Sequence, residues 1–202
     1  MKRSGIVLFA LFFVALEARA GTGIKWELDK GHSYVGFSVR HLGITNVRGE
    51  FEDYEAVIHA DPTTGKVTTI EATAKADSVD TGIEGRDNHL KSDDFFNAKK
   101  YPTLKLKSKS IEWKGNEVSG VATVTIRNVS KDVKFTGKLI GTQKVNFGDG
   151  DQLRAGYELT ATINRQDFGL KFNRMAEGVS VVSNQVEIVI EAQASRRLVG
   201  QS

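Results

Sequence analysis

Apolar and polar side chains alternate with a period of two along most of the chain, and this pattern restricts the fold more than any other feature. Successive residues of a β-strand point to opposite faces, so such alternation is typical of strands with one apolar and one polar face. Between residues 118 and 126, for example, Val, Gly, Ala, Val and Ile alternate with Ser, Val and Thr. Comparable runs lie at residues 35–39, 70–76, 133–139, 157–163 and 186–190.

Turn-forming residues separate these runs, as in Asp61-Pro62-Thr63-Thr64-Gly65 and Lys114-Gly115-Asn116. Strands with one polar face pair in an antiparallel manner, and many long ones must either stack as a sandwich or close into a barrel. Closure also removes the free edges that promote aggregation. The sequence therefore predicts an all-β fold, an extended up-and-down antiparallel β-barrel of about eight strands, with a sandwich as the alternative.

Residues 1–20 have the pattern of a cleaved secretory signal peptide. Lys2 and Arg3 precede an apolar run from Ile6 to Leu16, and Ala18-Arg19-Ala20 supplies the small residues of a cleavage site. The run is too short to cross a bilayer about 30 Å thick, although an N-terminal membrane anchor is the alternative. We predict an exported protein with two parts, a signal peptide at 1–20 and a single β-barrel domain at 21–202.

Composition excludes several classes of protein. The chain contains no Cys, which excludes a thiol nucleophile and a thiolate metal site, and the 182 residues after the signal are enough to build a core without disulfides. Those residues carry 25 basic and 24 acidic side chains, so they offer no basic footprint for nucleic acid. No second apolar segment reaches the length of a transmembrane helix.

Residues 80–102 interrupt the strand pattern, and long connections of this kind usually carry structure or function of their own. Thr81 and Glu84 have the spacing of a capping box, which predicts a short helical segment near residues 82–97. Ser92 is expected to cap a second short turn within it. Pro102 ends the segment, because proline cannot continue a helix.

Asp87 is the least easily explained carboxylate of this segment. It shares a helical face with Ile83 and Leu90, so we expect it to point inward, where it needs a partner. Arg86, His89 and free backbone amides are the candidate partners. We predict that Arg86, Asp87 and His89 either contact the polar head group of a ligand or brace a lid.

The same cluster offers an enzyme as the alternative function. Asp87, His89 and Ser92 are the residue types of a hydrolytic triad, but side chains two residues apart on one helix point in different directions. The chain also lacks a Gly-x-Ser-x-Gly nucleophile motif. We therefore predict no catalytic residues, and a hydrolase or other enzyme acting on a lipid or small substrate through Arg86–Asp94 remains the alternative.

The sequence contains no recognisable metal or cofactor motif. His32, His41, His59 and His89 lack the close pairing of HxH or HExxH ligands, although a composite site across strands is open. The turn from Gly148 to Asp151 lacks the ligand series of a calcium loop. We predict no metal ion and no cofactor other than a bound lipid.

Three separated motifs resemble those of a known family in order and spacing. The first comprises Trp26-Glu-Leu-Asp29, His32-Ser33, Phe37-Ser-Val-Arg-His41 and Gly49-Glu-Phe51. The second comprises Arg86-Asp-Asn-His89-Leu-Lys-Ser92-Asp-Asp-Phe95-Phe96 and Tyr101-Pro102, and the third is Asn164-Arg165-Gln-Asp167-Phe168-Gly169-Leu170. From about Ile24 to Ala194, the chain resembles the YceI-like, polyisoprenoid-binding family.

The resemblance implies a lipocalin-like barrel with a long apolar tunnel, in a periplasmic protein that binds, transports or stores a lipid and does not catalyse a reaction. It implies an isoprenoid-type ligand, such as a polyprenyl quinone-like molecule, or a similar long-chain amphiphile. No transmembrane segment is expected after signal removal, and a homodimer is compatible with the sequence.

Small residues on the apolar faces leave either a cavity or space that larger neighbours fill, and the resemblance favours the cavity. Phe95 and Phe96 are too apolar to face water and are expected to plug one end of the barrel. The residues predicted to contact the ligand from the lumen or the lid are Phe37, Phe51, Ala72, Ala74, Phe95, Phe96, Ala122, Ile126, Phe135, Leu159, Ala161, Ile163 and Phe168.

Overall fold

Strands account for most of the protein in the computed structural model, which describes residues 23–148 and 150–198. The predicted signal peptide lies outside these residues. Within them, none of the helical segments has the length and apolar character needed to cross a membrane. The elements are β1 (Ile24–Leu28), β2 (Tyr34–His41), β3 (Thr45–Phe51), β4 (Tyr54–Ala60), β5 (Val67–Lys75), β6 (Val79–Asp80), α1 (Glu84–Lys91), β7 (Thr103–Lys114), β8 (Glu117–Ile126), β9 (Val129–Asn146), β10 (Asp151–Asn164), β11 (Met175–Ala176), β12 (Val179–Ser180) and β13 (Val182–Arg197), with 3₁₀ turns at Lys30–His32, Ala76–Ser78 and Arg165–Phe168.

Eight strands form a closed antiparallel ring in the order β1-β4-β5-β7-β8-β9-β10-β13. The ring closes where β1 pairs with β13, at Glu27 opposite Ser195 and Leu28 opposite Ala194. Each ring strand is followed around the barrel by the next ring strand along the chain, as in an up-and-down barrel. The predicted barrel of about eight strands is confirmed, and the sandwich alternative is wrong.

The long strand β13 shares one of its edges between two partners. Its C-terminal part pairs with β1, whereas its N-terminal part pairs with β2, from Val182 opposite His41 to Glu191 opposite Tyr34. Strand β2 continues the sheet through β3 to the short β6, which leads directly into α1. This branch places α1 at one end of the barrel, called here the near end. The far end carries the turn at residues 61–66.

Two apolar clusters lie inside the barrel, one towards each end. The near cluster includes Phe51, Phe96 and Phe168, and the far cluster is built around Trp26 and Tyr157. The buried Tyr157 hydroxyl donates a hydrogen bond of 2.6 Å to the carbonyl of Gly65, and burial raises the pKa of this phenol above its ordinary value. The far end is therefore sealed by packed side chains and a satisfied hydroxyl.

The alternation along β9 contains one irregularity with a testable consequence. Leu139 lies opposite Tyr157 and Gly141 lies opposite Gly156, so Ile140 is an extra residue that forms a β-bulge. Leu139 is 6% exposed and belongs to the far cluster, whereas Ile140 is 59% exposed. Two adjacent aliphatic residues therefore have opposite environments.

We expect Leu139→Ala to lower the free energy of unfolding by about 2–5 kcal/mol, because it leaves a cavity in a packed core. The matched variant Ile140→Ala should change it by less than about 0.5 kcal/mol. Denaturant unfolding followed by tryptophan fluorescence measures both values. Equal losses in the two variants would contradict the different burial of Leu139 and Ile140.

Candidate functional site

The near half of the barrel encloses a cavity of about 560 Å³. This volume lies within the range of about 300–1,000 Å³ that is usual for small-molecule sites. The wall is largely apolar and receives side chains from β1, β2, β3, β4, β5, β7, β8, β10 and β13, with α1 at the near end. Such a wall can hold an apolar chain but offers little to fix a polar one.

Alanines on neighbouring strands leave the space for this cavity. Ala56 on β4 pairs with Ala72 on β5, and both line the cavity together with Ala74. Each methyl group replaces a larger side chain that would otherwise reach the barrel axis. These three alanines therefore border open space beside β4 and β5.

Small residues on the opposite wall do not leave space. A methyl group placed on Gly120 would lie 2.7 Å from the ring of Phe135, and one on Gly137 would lie 2.7 Å from a methyl carbon of Leu159. Gly120 and Gly137 are the cross-strand partners of these two residues. Each large side chain covers the glycine beside it, so the barrel interior is packed around Gly120 and Gly137.

Eight of the thirteen predicted lumen and lid residues line this cavity, and five do not. That any of them contacts a ligand stays a prediction. Phe37, Phe51, Ala72, Ala74, Phe95, Phe96, Ile126 and Ile163 line the cavity. The cavity does not reach Ala122, Phe135, Leu159, Ala161 and Phe168. These five residues pack in the barrel interior, Phe135 and Leu159 over glycines and Phe168 in the near cluster, and their contact with a ligand stays a prediction.

Aromatic rings cover the near end of the cavity. Phe96 meets Phe51 edge to face, with ring centroids 5.5 Å apart, and both side chains are buried. Phe95 packs against Phe172 at 5.0 Å, and the His89 ring stands edge-on to both at 5.1 Å. These rings form an apolar cover, and the half-exposed His89 is its most accessible member.

The polar residues before α1 are organised differently from the predicted capping box. Ile83 occupies the N-cap position without a side-chain hydrogen bond, and its side chain is exposed. The Thr81 hydroxyl and amide both donate to the buried Asp87 carboxylate, and Arg86 Nε donates to the same hydroxyl at 2.7 Å. The capping box is wrong because Thr81 bonds to Asp87, one turn further along. Asp87 braces the start of α1, and Arg86 also lines the cavity.

The candidate hydrolytic triad is not assembled. His89 Nε2 lies 2.8 Å from Asp94 Oδ2, and Asp87 is occupied by Thr81. The Ser92 hydroxyl donates to the backbone carbonyl of His89 at 2.7 Å, so Ser92 ends α1 instead of capping a second turn. None of these three side chains forms the nucleophile-to-base contact that a triad needs.

Two arginines that play no part in the predicted cluster hold the cover in place. Arg127 follows β8 and donates from Nη1 to the carbonyls of Phe95, at 3.0 Å, and Gly169, at 2.7 Å. It adopts a left-handed backbone conformation with φ of 52°. No pattern in the sequence signals this role, because the acceptors are backbone carbonyls distant in the chain.

Arg165 is the most deeply buried charged residue in the described part of the chain, at 3% exposure, and it lines the cavity. Its guanidinium donates to the carbonyls of Leu170 at 2.7 Å, Ser183 at 2.9 Å and Val182 at 3.2 Å, and to the side-chain oxygen of Asn184. Burial lowers the pKa of this guanidinium from its ordinary value. The contacts join the two ends of the segment 170–183.

The cavity meets the surface at the near end, where exposed Arg40, Thr45 and His89 are among its lining residues. A second row of exposed lining residues, Glu55, Thr73 and Lys105, crosses β4, β5 and β7 in register. Residues 23–148 and 150–198 contain no group of three or more His, Asp or Glu side chains arranged to hold a metal ion. The hydroxyl, carboxylate and cationic groups around the cavity can form hydrogen bonds and charge interactions.

Period-two alternation marks further lining residues beyond the predicted set. Val35, Phe37 and Val39 share one face of β2, and all three line the cavity. Leu104 and Leu106 on β7 alternate in the same way opposite Ala74 and Ala72, and they also line it. Period-two alternation identifies such positions, but it does not reveal which inward faces border open space.

The family model of the YceI-like domain matches residues 26–194, which is most of the chain. The chain belongs to the YceI-like family. Protein YceI of Escherichia coli O157:H7 is 31% identical over 197 residues, covering 96% of this chain and 97% of that protein. The UPF0312 protein PA0423 of Pseudomonas aeruginosa is 29% identical over 196 residues, with the same two coverages.

Solved structures agree with this YceI-like assignment. The YCEI protein of Campylobacter jejuni is 35% identical, covers 87% of this chain and 99% of its own, and superposes with a TM-score of 0.68. A polyisoprenoid-binding domain from Saccharophagus degradans shares the fold, with a TM-score of 0.58, 14% identity and coverage of 84% and 97%. The predicted family is confirmed, and so is the lipocalin-like barrel of this YceI-like protein.

We expect Arg165→Met to lower the free energy of unfolding by about 3 kcal/mol, because it leaves several buried acceptors without a donor. The amides of residues 170–183 should also exchange with deuterium faster than in the wild type. Arg174→Met, an exposed arginine in the same segment, is the matched control and should change neither quantity. Hydrogen exchange with mass spectrometry measures the local effect, and unchanged exchange in Arg165→Met would contradict the anchoring role.

Proposed function

We propose that the protein is a periplasmic binding protein that holds an isoprenoid-type or similar long-chain amphiphilic lipid in its lumen, for transport, storage or stress protection. The observation that carries the proposal is the apolar cavity of about 560 Å³ within a closed barrel. Enclosed apolar space is costly unless something fills it, because its lining lacks contact partners. A flexible hydrocarbon chain supplies those contacts.

The distribution of polar groups supports an amphiphile over a pure hydrocarbon. The lumen beside Ala72 and Ala74 is apolar, whereas Arg40, Arg86 and His89 border the cavity at the near end. An apolar chain in the lumen with its polar group at the near end satisfies both regions. A polyprenyl quinone-like molecule has this division.

Apolar contacts alone discriminate weakly between chains of this kind. Each buried methylene contributes about 0.8 kcal/mol, so chains of similar length and width bind with similar affinity. Selectivity therefore depends on the shape of the lumen and on head-group contacts from residues such as Arg86 and His89. We therefore propose a class of lipid as the ligand and not one particular molecule.

Two further observations support this assignment. The pattern of residues 1–20 is typical of a secretory signal peptide, and export gives a domain access to envelope lipids. The solved domain from Saccharophagus degradans that shares this barrel is described as polyisoprenoid-binding. The hydrogen bonds of Asp87, His89 and Ser92 favour binding over catalysis, because each of these side chains serves the local fold.

The test is a variant that fills the lumen, Ala72→Phe. Ala72 lines the cavity, so the ring should occupy ligand volume and lower the affinity for a fluorescent long-chain lipid at least about tenfold, since several methylene contacts are lost. Organic extraction with mass spectrometry should recover stoichiometric lipid from the wild type and little from Ala72→Phe.

Thr160→Phe is the matched control, because Thr160 is an exposed position on the outer face of β10. It should retain lipid and affinity. Circular dichroism and thermal unfolding establish that both variants fold. A folded Ala72→Phe protein with wild-type affinity, or a wild-type protein that yields no lipid and binds none, would refute the lumen proposal.

A further inference from the structure

Two hairpins lie side by side at the near end, next to the cavity opening. The first is the turn between β2 and β3, residues 41–45, and the second is formed by β11 and β12. The amide of Leu42 donates to the carbonyl of Val181 at 3.1 Å, and the amide of Val181 donates to the carbonyl of Arg174 at 3.0 Å. These bonds join the base of the second hairpin to the first. We call the pair the rim hairpins.

The rim hairpins expose large apolar side chains that the barrel does not use. Ile44 is 81% exposed, Met175 is 53% exposed and Val179 is 46% exposed. None of the three borders the cavity, whereas the neighbouring Thr45 and Val181 do. Single exposed apolar residues are common, but three on adjacent hairpin tips beside an opening indicate an interaction surface.

Cationic side chains flank these apolar tips. Arg40 and Arg48 lie on either side of the first hairpin, and residues 40–48 contain no acidic side chain. Lys171 and Arg174 precede the second hairpin, which carries one acidic residue. All four cations are exposed, and no ion pair within 4.0 Å involves any of them in residues 23–148 and 150–198.

We propose that the rim hairpins dock on the surface of a bilayer that contains anionic phospholipids. Apolar side chains at hairpin tips can enter the boundary between head groups and acyl chains, while flanking cations attract the negative head groups. Separate convex tips suit a soft surface into which each side chain inserts. A stable protein interface instead needs a complementary area of about 1,000 Å² or more.

Docking in this orientation has a direct consequence for the lumen. Residues on the rim hairpins, including His41, Thr45 and Val181, also line the cavity. The opening would therefore face the lipid from which an apolar ligand must come, and the ligand would avoid crossing water. The inference goes beyond the proposed function, because it names a second partner and surface whose test does not depend on lumen occupancy.

Co-sedimentation with sucrose-loaded vesicles tests the proposal. We expect the wild type to bind vesicles of phosphatidylglycerol and phosphatidylcholine, and to bind pure phosphatidylcholine at least tenfold more weakly. The triple variant Ile44→Ser, Met175→Ser, Val179→Ser should bind the mixed vesicles at least about tenfold more weakly than the wild type. Lys171→Gln with Arg174→Gln should lower binding about tenfold, and raised salt should abolish the difference between these two proteins.

Matched controls lie away from the rim. Ile140→Ser with Phe147→Ser removes two exposed apolar residues outside the near end, and Lys114→Gln removes an exposed cation from the end of β7. Both should bind vesicles like the wild type. Extraction of bound lipid from the rim variants separates the two proposals, because a docking defect leaves the lumen intact.

Three results would overturn the docking proposal. The first is a folded wild-type protein that binds neither vesicle. The second is equal weakening by the rim and control variants. The third is a rim variant that alters self-association in sedimentation velocity without changing vesicle binding, which would assign the apolar tips to a second copy of the chain.

Discussion

The division of one edge of β13 between two strands underlies the rest of the architecture. Pairing with β1 towards the far end closes the ring and leaves no free edge there. Pairing with β2 towards the near end adds a branch that ends in β6 and α1. If β1 occupied the whole edge, the barrel would close without the elements that cover the lumen. Closure and cover therefore depend on the same strand.

Small residues have two different consequences within this one barrel. Ala56, Ala72 and Ala74 border open space, whereas Gly120 and Gly137 lie beneath the large side chains of their cross-strand partners. The distinction depends on which residue the register places beside each small one. Register depends on pairing across the whole sheet, so the sequence of a single strand does not reveal which residue lies beside each small one.

The sequence was most informative where the signal is repeated and local. Period-two alternation predicted the closed antiparallel barrel, and the motifs predicted the family. The same alternation placed Ala122 on the lumen, although the cavity does not reach it, because an inward face on one strand does not determine where open space lies. The hydrogen-bond partners of polar side chains were still harder to predict from the sequence. Thr81 bonds to Asp87 instead of Glu84, and Arg165 binds carbonyls that fold back from residues 170–183. Such partners are fixed by tertiary structure, which competes with local capping preferences.

The wall and the cover of the cavity differ in secondary structure. Paired strands form the wall, whereas much of the cover lies on α1 and on turns held by the guanidinium groups of Arg127 and Arg165. A molecule held inside contacts both the wall and the cover, but only the cover must open for it to escape. Changes at Arg127 and Arg165, which hold the cover without forming its rings, therefore act on residence time more than on affinity, whereas changes at the alanines of β4 and β5 act on affinity.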